Sequence, residues 1–206
     1  MRCDWARGPW LIPYHDMEWG EPVHDDRRHF ELLVMEGAQA GLSWLTVLKR
    51  RAAYRRAFAG FDPEIVANFD SQEVEAALAD PGIVRHRQKV ESAVGNAAAV
   101  LRVQDEYGSF DAFVWTFVGG CSIATGWAES GQVPATVPAA VSLSNELRTR
   151  GFRFVGPTIC YSYMQAAGLV NDHLRGCFRF HEVQTESIEG ARLPGGLAQS
   201  SPLAAQ

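Results

Sequence analysis

Apolar residues recur at three- and four-residue intervals along most of the chain, and polar caps punctuate them. After Asp25 and Asp26, either of which can cap, Phe30, Leu33, Val34 and Gly37 share one stripe, predicting a helix that closes near Ala40. Ser43 is placed to cap a second helix over 43–59, with Leu45, Leu48, Ala52 and Phe58 inward. Asp62-Pro63 opens a short helix, and Asp70 with Glu73 has capping-box spacing for another, which stops at Asp80-Pro81-Gly82. From Val84 a long helix carries Val90, Val94, Ala97, Ala98 and Leu101 until Gly108 ends it. Ser109-Phe110 begins a short helix to Val118, Ser142 caps one to Arg150, and Pro157 opens one ending near Gly168. No stretch alternates as a strand does, and no repeat is visible. The pattern predicts an all-α protein.

Three stretches lack a period. Residues 1–24 hold three of the six tryptophans and read as irregular structure pinned by something other than helix packing. Residues 119–140, rich in Gly, Pro, Ser and Thr, read as a long loop. Beyond His181 apolar density falls away, so the expected organisation is one domain over 1–180 and a disordered tail over 181–206. At 206 residues and 47% hydrophobic, the chain can bury a sizeable core. Neither a membrane-length apolar run nor a signal-peptide core is found, so a cytoplasmic protein without a membrane partner is expected. A reducing compartment argues against disulfides among Cys3, Cys121, Cys160 and Cys177, and Cys121 and Cys160 read as small core residues.

The net charge of −5 is unlike that of a nucleic-acid binder, yet the charges are segregated. Lys49, Arg50, Arg51, Arg55 and Arg56 form one basic run, Arg85, Arg87 and Lys89 another, and five arginines fall in 148–180. Segregation of this kind permits a basic face on an acidic protein.

Candidate chemistry centres on Glu36–Arg51. An acid, Glu36, stands in an apolar helix pattern, Gly37 and Gly41 bare the backbone beside it, and Trp44 offers a flat ring. These suit a pocket for a flat, electron-poor ligand beside an anionic polymer, and equally an ordinary helix-turn-helix with a basic end. Cys177 follows His173 by four residues, and Cys3 and His15 lie near the other terminus. Together they form a Cys₂His₂ set for a closed, structural zinc, although buried Cys and His are common without one. The pattern of Gly151, Phe152, Val155 and Gly156 reads as a tight hairpin between helices, whose free N–H groups at Gly156 and Thr158 suit a phosphate. A plain αα-hairpin fits it as well; the neighbouring Arg148, Arg150 and Arg153 favour DNA.

CDW at 3–5, YHDMEWG at 14–20, EGAQAGLSWLTVLKRR at 36–51, GIVRHRQK at 82–89, GFRFVGPTICYSYMQA at 151–166 and GLVNDHLRGC at 168–177 together resemble the DNA-3-methyladenine glycosylase I family. The resemblance spans residues 3–177. It implies a helix-hairpin-helix glycosylase fold and removal of 3-methyladenine from alkylated double-stranded DNA; with no suitably placed lysine apparent, monofunctional cleavage is expected, and the chain is expected to be a monomer. It further implies one structural zinc on Cys3, His15, His173 and Cys177, and DNA contacts from Gly151, Arg153, Gly156 and Thr158. The implied base pocket comprises Glu36, Trp44 and Tyr14, with Trp5 and Trp19 nearby; Glu36 is either catalytic or a recognition group. Many related glycosylases carry a catalytic aspartate where this chain has Asn171, and Asp172, one residue on, is expected to point elsewhere. A non-catalytic module that binds damaged DNA is the alternative.

Overall fold

In the computed structural model, which describes residues 1–190, helix α2 (Asp26–Gln39) runs through the middle of the core. Phe30, Leu32, Leu33 and Met35 are completely enclosed, and even His29, Glu31 and Glu36 on the same helix are buried. Asp25 caps α2 by accepting from Arg28 N, while Asp26 accepts from the backbone N–H groups of Phe110 and Asp111. Of the two aspartates, then, one starts α2 and the other fixes the start of α8 (Phe110–Trp115) against it.

Around α2 pack the long α7 (Arg87–Tyr107), ended by Gly108 in the left-handed conformation, and the antiparallel pair α9 (Pro138–Thr149) and α10 (Pro157–Ala166). The short α5 (Pro63–Val66) and α6 (Ser71–Ala79) close one side against α7, and Asp70 and Glu73 form the expected capping box. No helix among the described residues is long and apolar enough to cross a membrane.

Several expectations change. Residues 8–17 form a helix, α1, with prolines at its start and at Pro13; its apolar residues are spread around the axis, so no stripe marks it. The helix expected over 43–59 is two, α3 (Trp44–Leu48) and α4 (Arg51–Ala57). The break lets Arg51 reach Glu18 at 2.6 Å and Arg55 reach Glu31 at 2.8 Å. Two of the five charges in that basic run, Arg51 and Arg55, are therefore neutralised within the molecule, and Lys49, Arg50 and Arg56 make no ion pair among the described residues. Helix α9 starts at Pro138, not Ser142, as suits proline in a first turn. The 119–137 segment contributes β1 (Ile123–Ala124), which pairs in parallel with β2 (Val170–Asn171), Ile123 opposite Val170. Cys121 is exposed, whereas Cys160 is a core residue as expected. A last helix, α11 (Phe178–Gly190), carries the start of the stretch expected to be disordered, with Val183 fully buried; the rest of that stretch, 191–206, lies outside the described residues.

The N-terminal segment crosses the end of α10 at Gly168. A Cβ there would sit 2.4 Å from the carbonyl carbon of Glu21, and φ is +71°. Gly168→Ala is expected to destabilise the fold by about 2–4 kcal/mol through overpacking and strain together. Gly41→Ala, also at positive φ but with open space around it, should cost only about 1 kcal/mol. Paired thermal melts check the difference, and equal losses would contradict the close crossing.

Candidate base pocket and metal centre

Between α1, α2, α3, α10 and the segment after β2 lies a cavity of ≈ 430 Å³. Tyr14, Glu36, Trp44, Trp5 and Trp19, the five residues expected at a pocket, all line it. Tyr14 and Trp44 face each other with ring centroids 5.3 Å apart at 46°, and Trp5 meets Trp19 edge-on at 4.9 Å. Ser43 caps α3 by accepting from Thr46 N, which sets Trp44 at the helix start. The indole Nε1 of Trp44 is buried without a hydrogen-bond partner.

Glu36 is 4% exposed and no group among the described residues hydrogen-bonds its carboxyl. Burial raises its pKa to about 8, against a smaller opposing pull from Arg51. Arg51 stands behind the pocket, 5.8 Å from the Tyr14 ring centroid, and is itself held by Glu18. Gly37, expected to bare the backbone for a ligand, instead faces the hairpin: a Cβ there would lie 3.2 Å from Phe154 Cβ.

Beside the aromatic wall, the donor atoms of Cys3, His15, His173 and Cys177 converge within 4.8 Å of one another, all buried. Cys177 Sγ lies 3.4 Å from His15 Nε2 and 3.6 Å from His173 Nδ1, and Cys3 Sγ lies 3.8 Å from His173 Nδ1. The outer ring nitrogens are engaged: His15 Nδ1 meets Asp16 at 2.8 Å, and His173 Nε2 meets Trp19 O at 2.9 Å. A carbonyl only accepts, so His173 carries its proton on Nε2 and turns a lone pair on Nδ1 toward the sulfurs. Burial, then the neighbouring His15, lowers the His173 pKa to about 4, so the ring is neutral as a ligand must be. Burial pushes the Cys3 thiol up to about 12, a cost that a bound cation reverses. The set can hold a metal ion. Trp19 packs edge-on to His173 at 4.7 Å and Trp5 to His15 at 5.2 Å, so the pocket wall rests on this cluster.

The hairpin residues stand together between α9 and α10. Gly151, at φ +88°, ends the first helix, Gly156 caps the second, and Arg153 and Thr158 are exposed. Asn96 clamps the turn by bonding both Arg153 O and Arg153 N, at 3.0 and 2.8 Å. Arg150 is drawn away to Glu106 and Glu146, and Arg148 and Arg153 make no ion pair among the described residues.

Residues 5–180 match the methyladenine glycosylase family. The chain belongs to that family. DNA-3-methyladenine glycosylase 1 of Escherichia coli (strain K12) is 48% identical over 177 residues, covering 85% of this chain and 95% of its own. A crystal structure of 3-methyladenine DNA glycosylase I superposes with TM-score 0.84 at 49% identity over 86% of this chain and 98% of its own. A variant of a 3-methyladenine DNA glycosylase I in complex with 3-methyladenine superposes with TM-score 0.83 at 37% identity, covering 86% and 96%.

In this methyladenine glycosylase family member, sequence reasoning missed one cavity wall. Asn171 turns into the core, donating to Phe180 O at 2.9 Å and capping His173 N. Asp172, expected to point elsewhere, lines the cavity with Gln165 and Ser162. Its partners Thr125 and Trp127 come from the aperiodic loop, so no spacing signalled the contact.

The buried acid generates a pH prediction. With its pKa raised above the unfolded value, Glu36 favours folding below about pH 4.5, and that contribution is lost as pH rises through 8. Glu36→Gln cannot ionise and escapes the loss. Its melting temperature relative to the parent should climb between pH 5 and pH 9, by the equivalent of a few kcal/mol. A pH-independent difference would show that Glu36 is not held in an unfavourable site.

Proposed function

We propose that this chain is a DNA glycosylase that hydrolyses the N-glycosidic bond of 3-methyladenine in alkylated DNA. The observation that carries the reading is a cavity in which an unpartnered, buried acid faces an aromatic cage. The names of its relatives point the same way. Methylation at N3 makes the attached base cationic and a ready leaving group. A cationic purine suits the faces of Tyr14 and Trp44 and turns the isolated Glu36 from liability to partner, since a cation favours its ionised form. Glu36 then accepts from the exocyclic amine. The nucleotide has to leave the stack to reach this cage, and a damaged base costs less to extrude.

The bond electron pair leaves with the base, and water adds to C1′ of the sugar. Neither lysine of the chain lines the cavity, so an amine attack with strand cleavage has no nucleophile and the reaction is monofunctional. The connection 150–156 acts as a helix-hairpin-helix: Gly156 and Thr158 offer backbone N–H groups and a helix N-terminus to a phosphate, with Arg148 and Arg153 alongside, while Gly151 makes the turn at positive φ and gives its N–H to Arg148 O at 3.0 Å. A non-catalytic binder of damaged DNA would need the hairpin but not Glu36 and its cage.

Zinc fits the Cys₂His₂ cluster. Bond lengths of about 2.3 Å to sulfur and about 2.05 Å to nitrogen in a tetrahedron separate S and N by about 3.6 Å. Three of the four sulfur–nitrogen separations are 3.4, 3.6 and 3.8 Å, and all four donor atoms lie within 4.8 Å of one another. Cys3, His15, His173 and Cys177 would fill all four positions, so the ion would clip the chain ends together and leave no site for substrate water. Elemental analysis is expected to find one zinc per chain, and chelation to lower the melting temperature; metal-free protein that melts unchanged would refute the site.

A base-release assay on methylated DNA tests the activity. Free 3-methyladenine should appear above the uncatalysed background. Glu36→Gln should weaken capture of the free base by about 1–3 kcal/mol and slow release by a comparable factor. Trp44→Ala should impair both while sparing undamaged-DNA binding. If Glu36→Gln binds base normally but abolishes release, Glu36 acts on the reaction itself.

A further inference from the structure

Asp172 is 3% exposed, and its carboxylate accepts four hydrogen bonds at the edge of the cavity. Thr125 Oγ1 donates at 2.6 Å and Trp127 Nε1 at 3.0 Å to one oxygen; Gln165 Nε2 at 2.6 Å and the Tyr161 hydroxyl donate to the other. Four donors on two oxygens match the acceptor capacity of an ionised carboxylate. Every donor is neutral, and Asp172 makes no ion pair among the described residues. Buried carboxylates are ordinarily neutralised by a cation, as Glu31 is here by Arg28 and Arg55. A divalent ion in the adjoining Cys₂His₂ cluster would not neutralise it either, because the two thiolates of Cys3 and Cys177 would cancel its charge. A fixed, uncompensated negative charge therefore borders the cavity on the wall formed by α10 and the segment after β2. Fully occupied by donors, it is poorly placed to take a proton from water.

Resting on the glycosylase reading above, we propose that Asp172 is an electrostatic positioning residue whose held charge stabilises the deoxyribose as it becomes cationic. When the C1′–N bond breaks, its electron pair neutralises the departing methylated base and leaves positive charge shared between C1′ and the ring oxygen. Water then forms the C1′–O bond and gives its proton to solvent. A preorganised charge in a site shielded from water acts on that developing cation without reorganisation. Asp172 also orients Gln165: its Nε2 points at the carboxylate, so the amide oxygen is the end left over on a residue that lines the cavity.

The test compares duplexes carrying a cationic pyrrolidine or a neutral tetrahydrofuran in place of the damaged nucleoside, beside single-turnover release from methylated DNA. The parent protein should bind the cationic duplex at least about tenfold more tightly. Asp172→Asn should lose most of that preference and release base about ten- to a hundredfold more slowly, with free 3-methyladenine affinity nearly unchanged. Equal affinity of the parent for both duplexes overturns the inference whether or not Asp172→Asn folds, as does an Asp172→Asn variant that keeps preference and rate. A parent that releases base without the preference sinks this inference alone; a parent that releases none sinks the functional reading with it.

Discussion

The convergence of four donor atoms from the two ends of the chain is the constraint on which the pocket depends. Cys3 and His15 come from one end, His173 and Cys177 from the other, and their buried atoms fall within 4.8 Å. Trp5 and Trp19 pack edge-on to the two imidazoles, so the aromatic wall stands where the cluster holds it. Elsewhere the N-terminal segment is tied by Val23 N to Ala167 O, Arg2 to Asp16 and the tight crossing at Gly168. A metal ion in the cluster would convert its binding energy directly into order at the pocket wall.

Against that wall, Glu36 is a deliberate misfit. α2 is the best-packed helix of the core, yet it buries a carboxyl with no hydrogen-bond partner. Arg51 favours its ionised form but is itself engaged by Glu18, so it offsets little of the burial. The result is a site that is unfavourable for a charge when empty and would become favourable if a cation entered, the property on which the proposed recognition of a charged base rests. Asp172 follows a different design: its charge is fully hydrogen-bonded by neutral groups and unneutralised, fixed before any ligand arrives.

The capped helices were legible because their signals are local: Asp70 with Glu73, Asp25 before α2 and Gly108 after α7 act within one turn. Helix α1 was not, since Pro9, Pro13 and apolar residues spread around its axis hide its period. The two-residue strands are too short to alternate, and the break between α3 and α4 serves ion pairs with Glu18 and Glu31, far along the chain, that no local spacing signals. In the site, Glu36 and Trp44 drew attention as an acid and a ring out of pattern and the metal set as two Cys/His pairs near the chain ends, whereas Tyr14 emerged through motif resemblance. Asp172 was misjudged because neighbouring position in sequence says little once β2 and the loop at Thr125 fix the backbone.

The central claim is that the cavity recognises the methylated base as such. Titrating the parent protein with free 3-methyladenine and with unmodified adenine, followed by tryptophan fluorescence, tests it most directly, because Trp5, Trp19 and Trp44 all line the cavity. The account predicts saturable quenching by 3-methyladenine and at least about tenfold weaker binding of adenine, a difference of about 1.4 kcal/mol or more. Equal affinities, or no fluorescence change with either base, would contradict it.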